Sequence, residues 1–99
     1  MLTTCIFKQP LNVIDIIVSH EDFKLLCYVS IDQLHPNQLN LDNDVVNMKR
    51  KNPKKNSLPY VVFKNGNLIL IDGHHTVTAK IQKGIKKVKC LLCAIGNGL

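Results

Sequence analysis

Apolar residues along this chain come in short alternating runs rather than in long stripes. Residues 3–8 are β-branched and aromatic and predict a short strand, which Pro10 breaks. Residues 12–18 carry Val13, Ile14, Ile16, Ile17 and Val18, a pattern that suits either a strand or a short buried helix. Residues 23–31 alternate loosely through Leu, Tyr, Val and Ile and predict a second strand. Residues 32–38 have turn chemistry, because Pro36 biases His35 toward extended backbone. Residues 41–51 predict a helix, with Asp42 or Asn43 as its cap and Val45, Val46 and Met48 as a partial apolar face. Asn52-Pro53 ends it. Two strands, 58–63 and 68–71, flank Asn65-Gly66, a strong hairpin signal. A helix over 74–83 follows, with Val77 and Ile81 one turn apart and Gly84 as its natural stop. Residues 86–95 predict the last strand, and 96–99 a frayed tail. This order predicts an α+β fold, a mixed β-sheet with two or three helices.

Ninety-nine residues allow a single small core, and 45% hydrophobic with 20% charged residues is an ordinary globular balance. The net charge of +6 is unevenly placed. Residues 1–48 hold two bases and six acids, whereas residues 49–99 hold eleven bases and one acid, Asp72. A basic half of that density favours polyanionic partners. With three Phe and two Tyr in the chain, stacking of single-stranded bases is not an evident mode.

The N-terminus lacks the early positive charge and apolar stretch of a signal peptide. The richest apolar stretch, 13–18, is interrupted by Asp15 and is too short to span a bilayer. A cytoplasmic protein that does not enter membranes is expected. Cys90 and Cys93 form a C-x-x-C inside an apolar run. On a strand, residues three apart face opposite sides, which suits buried reduced thiols better than a shared metal.

The informative segment is Leu68 to Ala79, an apolar strand followed by Asp72-Gly73-His74-His75-Thr76 and a helix. First-turn N–H groups without intrahelical partners, together with the helix dipole, make such a junction an anion site. Gly73 lets backbone approach a ligand, and Lys80 lies one turn beyond Thr76. The segment matches neither a Walker A loop nor a G-x-G-x-x-G turn.

The string Asp72-Gly73-His74-His75-Thr76 resembles the D-G-H-H-R motif of the ParB/sulfiredoxin superfamily. Val29 to Asn37 is similar to that family's opening strand and its I-x-x-L-x-P-N ending. Leu58 to Val62 is similar to its P-I-V-V strand, and Gly84 with Val88 to Leu92 to its helix end and last strand. The resemblance covers residues 29–95, with 1–28 as an N-terminal extension packed on that domain. It implies a small ParB/sulfiredoxin-like domain that binds a phosphate-bearing ligand at the start of the 74–83 helix. Its relatives include CTP-binding partition proteins, nucleases, an ATP-using sulfinic-acid reductase and an ADP-dependent serine kinase. CTP, ATP or ADP is therefore among the implied ligands. The chain departs from the motif at Thr76, where the family has a phosphate-gripping arginine. His74 stands where the reductase has its cysteine, so that chemistry is not expected.

The resulting site has Gly73, His74, His75, Thr76 and Lys80 around a phosphate. In its enzymatic version, a nuclease or nucleotide hydrolase, Asp72 binds Mg²⁺ or orients water and His75 transfers a proton. Asp72 can equally cap the following helix. Lys49, Arg50, Lys51, Lys54 and Lys55 form a candidate nucleic-acid-binding run; its alternative is a solvated loop. The competing function is a non-catalytic protein of a phage or mobile element that binds nucleic acid or a host protein. A homodimer is also open.

Overall fold

In the computed structural model, residues 2–4, 6–11, 19–52 and 57–94 are described. The reading of 12–18, the basic residues Lys54 and Lys55, and the tail lie outside them.

The central hairpin forms as its turn chemistry demands. β5 (Tyr60–Lys64) and β6 (Asn67–Asp72) are antiparallel and joined through Asn65 and Gly66. Both turn residues have positive φ, +53° and +79°, the primed-turn geometry that matches strand twist. α2 (His74–Gln82) follows β6, and β7 (Lys87–Ala94) returns parallel to β5. β2 (Leu25–Ser30) pairs antiparallel with the outer side of β7, and β3 (Leu34–Pro36) pairs parallel with β6. The mixed sheet therefore runs β2-β7-β5-β6-β3. A separate two-stranded ladder joins β1 (Leu2–Thr3) to β4 (Asn40–Leu41). α1 (Asn43–Lys51) lies against α2.

Alternation sorts the sheet into two faces. Val29, Val61, Leu70, Val88 and Cys90 point to one side and bury against Val77 of α2, with Ile6, Ile31 and Leu34 closing the core. Phe23, Val62 and Cys93 form a smaller cluster on the opposite side. Cys90 and Cys93 thus sit on opposite faces, as strand geometry requires. Burial, reinforced by the adjacent Cys27 thiol, pushes Cys90 up to about 12.

Three elements differ from the pattern-based expectation. The first strand is only Leu2–Thr3 within the described residues, because its partner β4 is itself two residues long. Residues 34–36, expected as turn, form β3: Pro36 can lie at a sheet edge, where no ladder donor is needed. The 23–31 strand is shortened by 3₁₀ turns at His20–Asp22 and Ile31–Gln33. Helix α1 is capped by Asp42, whose carboxylate accepts from the N–H groups of Asp44 and Val45.

Candidate phosphate-binding site

The β6–α2 junction turns on Gly73. Its φ is +98°, and a Cβ there would lie 2.9 Å from the Pro59 Cα at the entry to β5. Glycine is needed for both the left-handed conformation and the close approach. Gly73 also occupies the N-cap of α2. Asp72 does not: its exposed carboxylate accepts from the Gly73 N–H at 2.9 Å, one residue short of capping. The expected capping role of Asp72 is corrected on this point. α2 consequently starts without a side-chain cap.

The two histidines have different surroundings from those their position suggests. His74 is 2% exposed, and its Nε2 accepts from the backbone N–H of Asn37 at 3.1 Å. Burial holds its ring down at about 4, against an upward pull from Asp72, so the ring is neutral at pH 7. His75 is half-buried, and its Nε2 accepts from the backbone N–H of Asp42 at 3.1 Å. An acceptor Nε2 places the ring proton on Nδ1 in both. The pair fastens the segment around β4 across the start of α2. With its ring buried, His74 offers an anion only its backbone N–H. His75 keeps an Nδ1–H as a donor.

Cations gather one turn further along. Thr76, Ala79, Lys80 and Lys83 recur at helical spacing on the face of α2 that meets α1. They line a shallow dimple together with Lys49 and Arg50. The Arg50 guanidinium is held by two neutral amides, Gln82 Oε1 on α2 and Asn47 Oδ1 on α1, each at 2.8 Å. These contacts fix its position without neutralising its charge. Thr76 is 3% exposed at the floor. Among the described residues, no carboxylate lines the dimple. Two groups that were separate along the sequence, Lys49 with Arg50 and Thr76 with Lys80, thus line one shallow α1–α2 cleft. Lys51 ends α1 and is exposed outside the lining residues. The same three bases also complement the C-terminal dipole of α1. The Gln82 contact escaped sequence reasoning, since no local spacing signals an amide that holds an arginine 32 residues away, whereas Asn47 lies at the i, i+3 spacing at which helical neighbours meet.

Among the described residues, no three His, Cys, Asp or Glu side chains come together to hold a metal. Asp72 alone offers a carboxylate, which fits only the mode in which Mg²⁺ takes most ligands from water and substrate phosphate. A wider hollow of 390 Å³, lined by Ile31, Ile81, Ile85 and Phe7 among others, contains none of the expected site residues that are described.

This strand–glycine–helix junction within a small mixed sheet defines a class. A family model described as "Putative ParB-like nuclease" matches residues 27–95, and the chain belongs to that family. A solved structure, protein Atu1540 from Agrobacterium tumefaciens, is similar at 29% identity with a TM-score of 0.63. The similarity covers 76% of this chain and 42% of that one, so this chain spans less than half of that protein's length. No curated protein matches the chain. No helix among the described residues is long and apolar enough to cross a membrane.

Proposed function

We propose that this ParB-like domain binds the phosphate backbone of duplex nucleic acid in the α1–α2 cleft. The observation that carries the reading is the gathering of Arg50, Lys80 and Lys83 around Thr76, beside Lys49, with no acid among the described residues that line the dimple. The start of α2 is a weaker anchor than the motif alone suggests. Asp72 adjoins it and Asp42 hydrogen-bonds His75 there, so the local field is less positive than in the cleft. Lysines at the rim act as point charges on successive phosphates, and the held guanidinium of Arg50 retains N–H donors for one of them. Thr76, in the place of the motif arginine, supplies a hydroxyl instead of a fork. Arg50 brings a guanidinium to the same cleft from the other helix.

The test is mobility shift of a short duplex. Wild type is expected to retard it at low salt and Lys80→Ala/Lys83→Ala to fail. Equal retardation by both proteins would remove the cleft from the interaction.

A metal-dependent nuclease is the second reading, favoured by the exposed Asp72 carboxylate beside an uncapped helix start. Mg²⁺ would supply charge neutralisation at the scissile phosphate, and Asp72 one ligand to it. His75 would donate from Nδ1 to a phosphate oxygen. Conversion of supercoiled plasmid to nicked circles with Mg²⁺, lost in Asp72→Asn, is the expected signature. Equal cleavage by the two proteins, or none, discards this reading and leaves binding intact. A free nucleoside triphosphate competing with duplex for the cleft would narrow the ligand to its phosphates.

A further inference from the structure

We propose that Cys27 and Cys90 are a modification site, at which a low-molecular-weight disulfide oxidises the two thiols to a reversible bond that staples β2 to β7. The inference is independent of the nucleic-acid reading. Cys27 on β2 stands directly opposite Cys90 on β7 in the antiparallel register. Both side chains lie on the same side of the sheet, since Cys27 packs at the margin of the core cluster that contains Cys90. The two thiols already share a hydrogen bond. Cys90 is fully buried and Cys27 half-buried, so an oxidant in solution meets the sulfur of Cys27 first. Cys93 lies on the opposite face, out of reach of the pair.

The register decides what kind of bond forms. Ile31 donates its N–H to the Lys86 carbonyl, next in line with the β2–β7 ladder. Alternation back along β2 makes Cys27 and Cys90 a hydrogen-bonded pair, whose Cα atoms stand about 5.5 Å apart. That separation is inside the range a disulfide spans. The Cβ atoms of such a pair are also about 5.5 Å apart, whereas a disulfide holds them at about 4 Å, so the strands must close by about 1–1.5 Å. β2 can yield, because it is the outermost strand and β7 is its one sheet neighbour among the described residues. A bond formed against that resistance is readily reduced, which suits a switch better than a permanent crosslink.

The Cys27 thiolate attacks one sulfur of the oxidant and expels the other as a thiolate, leaving a mixed disulfide on Cys27. The Cys90 sulfur then attacks the Cys27 sulfur and expels the second small thiolate. The protons of the two protein thiols pass to the two leaving thiolates, and the protein gives up two electrons to the oxidant. Cys90 needs no access to solvent for its step, because its target is the neighbouring sulfur. The bond closes a loop from 27 to 90 that contains α1, α2 and the cleft between them. Closing so long a loop removes entropy from the unfolded chain and stabilises the folded one.

The experiment incubates the native 99-residue chain with oxidised glutathione, quenches with acid and maps disulfides by tandem mass spectrometry of an unreduced digest. Wild type is expected to give the 27–90 crosslink and to lose it to dithiothreitol. Cys90→Ala should stop at glutathione held on Cys27, and Cys27→Ser should give neither product at these positions. Cys5→Ser/Cys93→Ser keeps only the proposed pair. It should crosslink like wild type and then melt about 5 °C or more above its reduced form. Wild type that keeps both thiols, or carries glutathione on Cys27 without the crosslink, overturns the proposal. So does a crosslink obtained only in urea, or an oxidised protein that melts no higher than the reduced one.

Discussion

Acidification should destabilise this protein through His74. The folded ring is held at about 4, against 6.5 when free, chiefly by burial. The sign follows from proton counts. Between those values the unfolded chain binds the proton and the folded one does not. Stability is complete above pH 6.5 and is lost as pH falls toward 4. At pH 5 the loss is about 2 kcal/mol, and it levels off near 3 kcal/mol below pH 4. For a domain that is marginally stable to begin with, this is a large fraction of the total. A protonated Nε2 would also lose its bond from Asn37 N–H and repel that donor. The assay is urea denaturation at pH 7.5 and 5.0 for wild type and His74→Gln, whose amide oxygen can accept from Asn37 but does not titrate. Wild type should lose about 2 kcal/mol more than the variant between the two pH values. Equal slopes, or a His74 NMR titration centred above pH 6, would refute the reasoning.

The glycine at the junction should be irreplaceable, and a second one separates the reasons. Gly73→Ala is expected to cost about 2–4 kcal/mol in chemical denaturation, from left-handed strain and the 2.9 Å approach to Pro59. Gly84→Ala shares a positive φ but meets nothing within 4 Å, so it should cost only about 1 kcal/mol. Equal costs would mean that the Pro59 contact relaxes freely. Cys90, buried and raised to about 12, should escape a brief iodoacetamide pulse at pH 8 in native protein and react fully in urea, as read by mass spectrometry. Rapid native labelling at Cys90 would show that β7 opens locally. Asp42→Ala should cost about 1 kcal/mol of thermal stability by uncapping α1, and an unchanged melting temperature would dispense with the cap.

Elements whose signals are local were legible. Asn65-Gly66 specified the hairpin, Asp42 the start of α1, and Gly84 the stop of α2, because each acts on backbone within a few residues. β3 and β4 were not, since two or three residues become a strand only through a partner distant in sequence. The same limit applied at the site. The 72–76 string identified the junction and Gly73 as its pivot. It could not show that His74 and His75 reach Asn37 and Asp42, 37 and 33 residues away. Nor could spacing along the chain show that Arg50 crosses to Gln82 and brings a basic turn beside Thr76. Charge was visible as a count, and its arrangement required the helix pair.

The central claim is that the α1–α2 cleft holds a phosphate backbone, and the salt dependence of binding tests it most directly. Fluorescence anisotropy of a labelled duplex from about 50 to about 200 mM NaCl gives the slope of log affinity against log salt. Wild type should bind with a steep negative slope. Lys80→Ala/Lys83→Ala should flatten it by about two, one for each phosphate no longer neutralised, while Lys64→Ala outside the cleft leaves it unchanged. A wild-type protein without affinity at the lowest salt, or a double variant with the wild-type slope, would contradict the account.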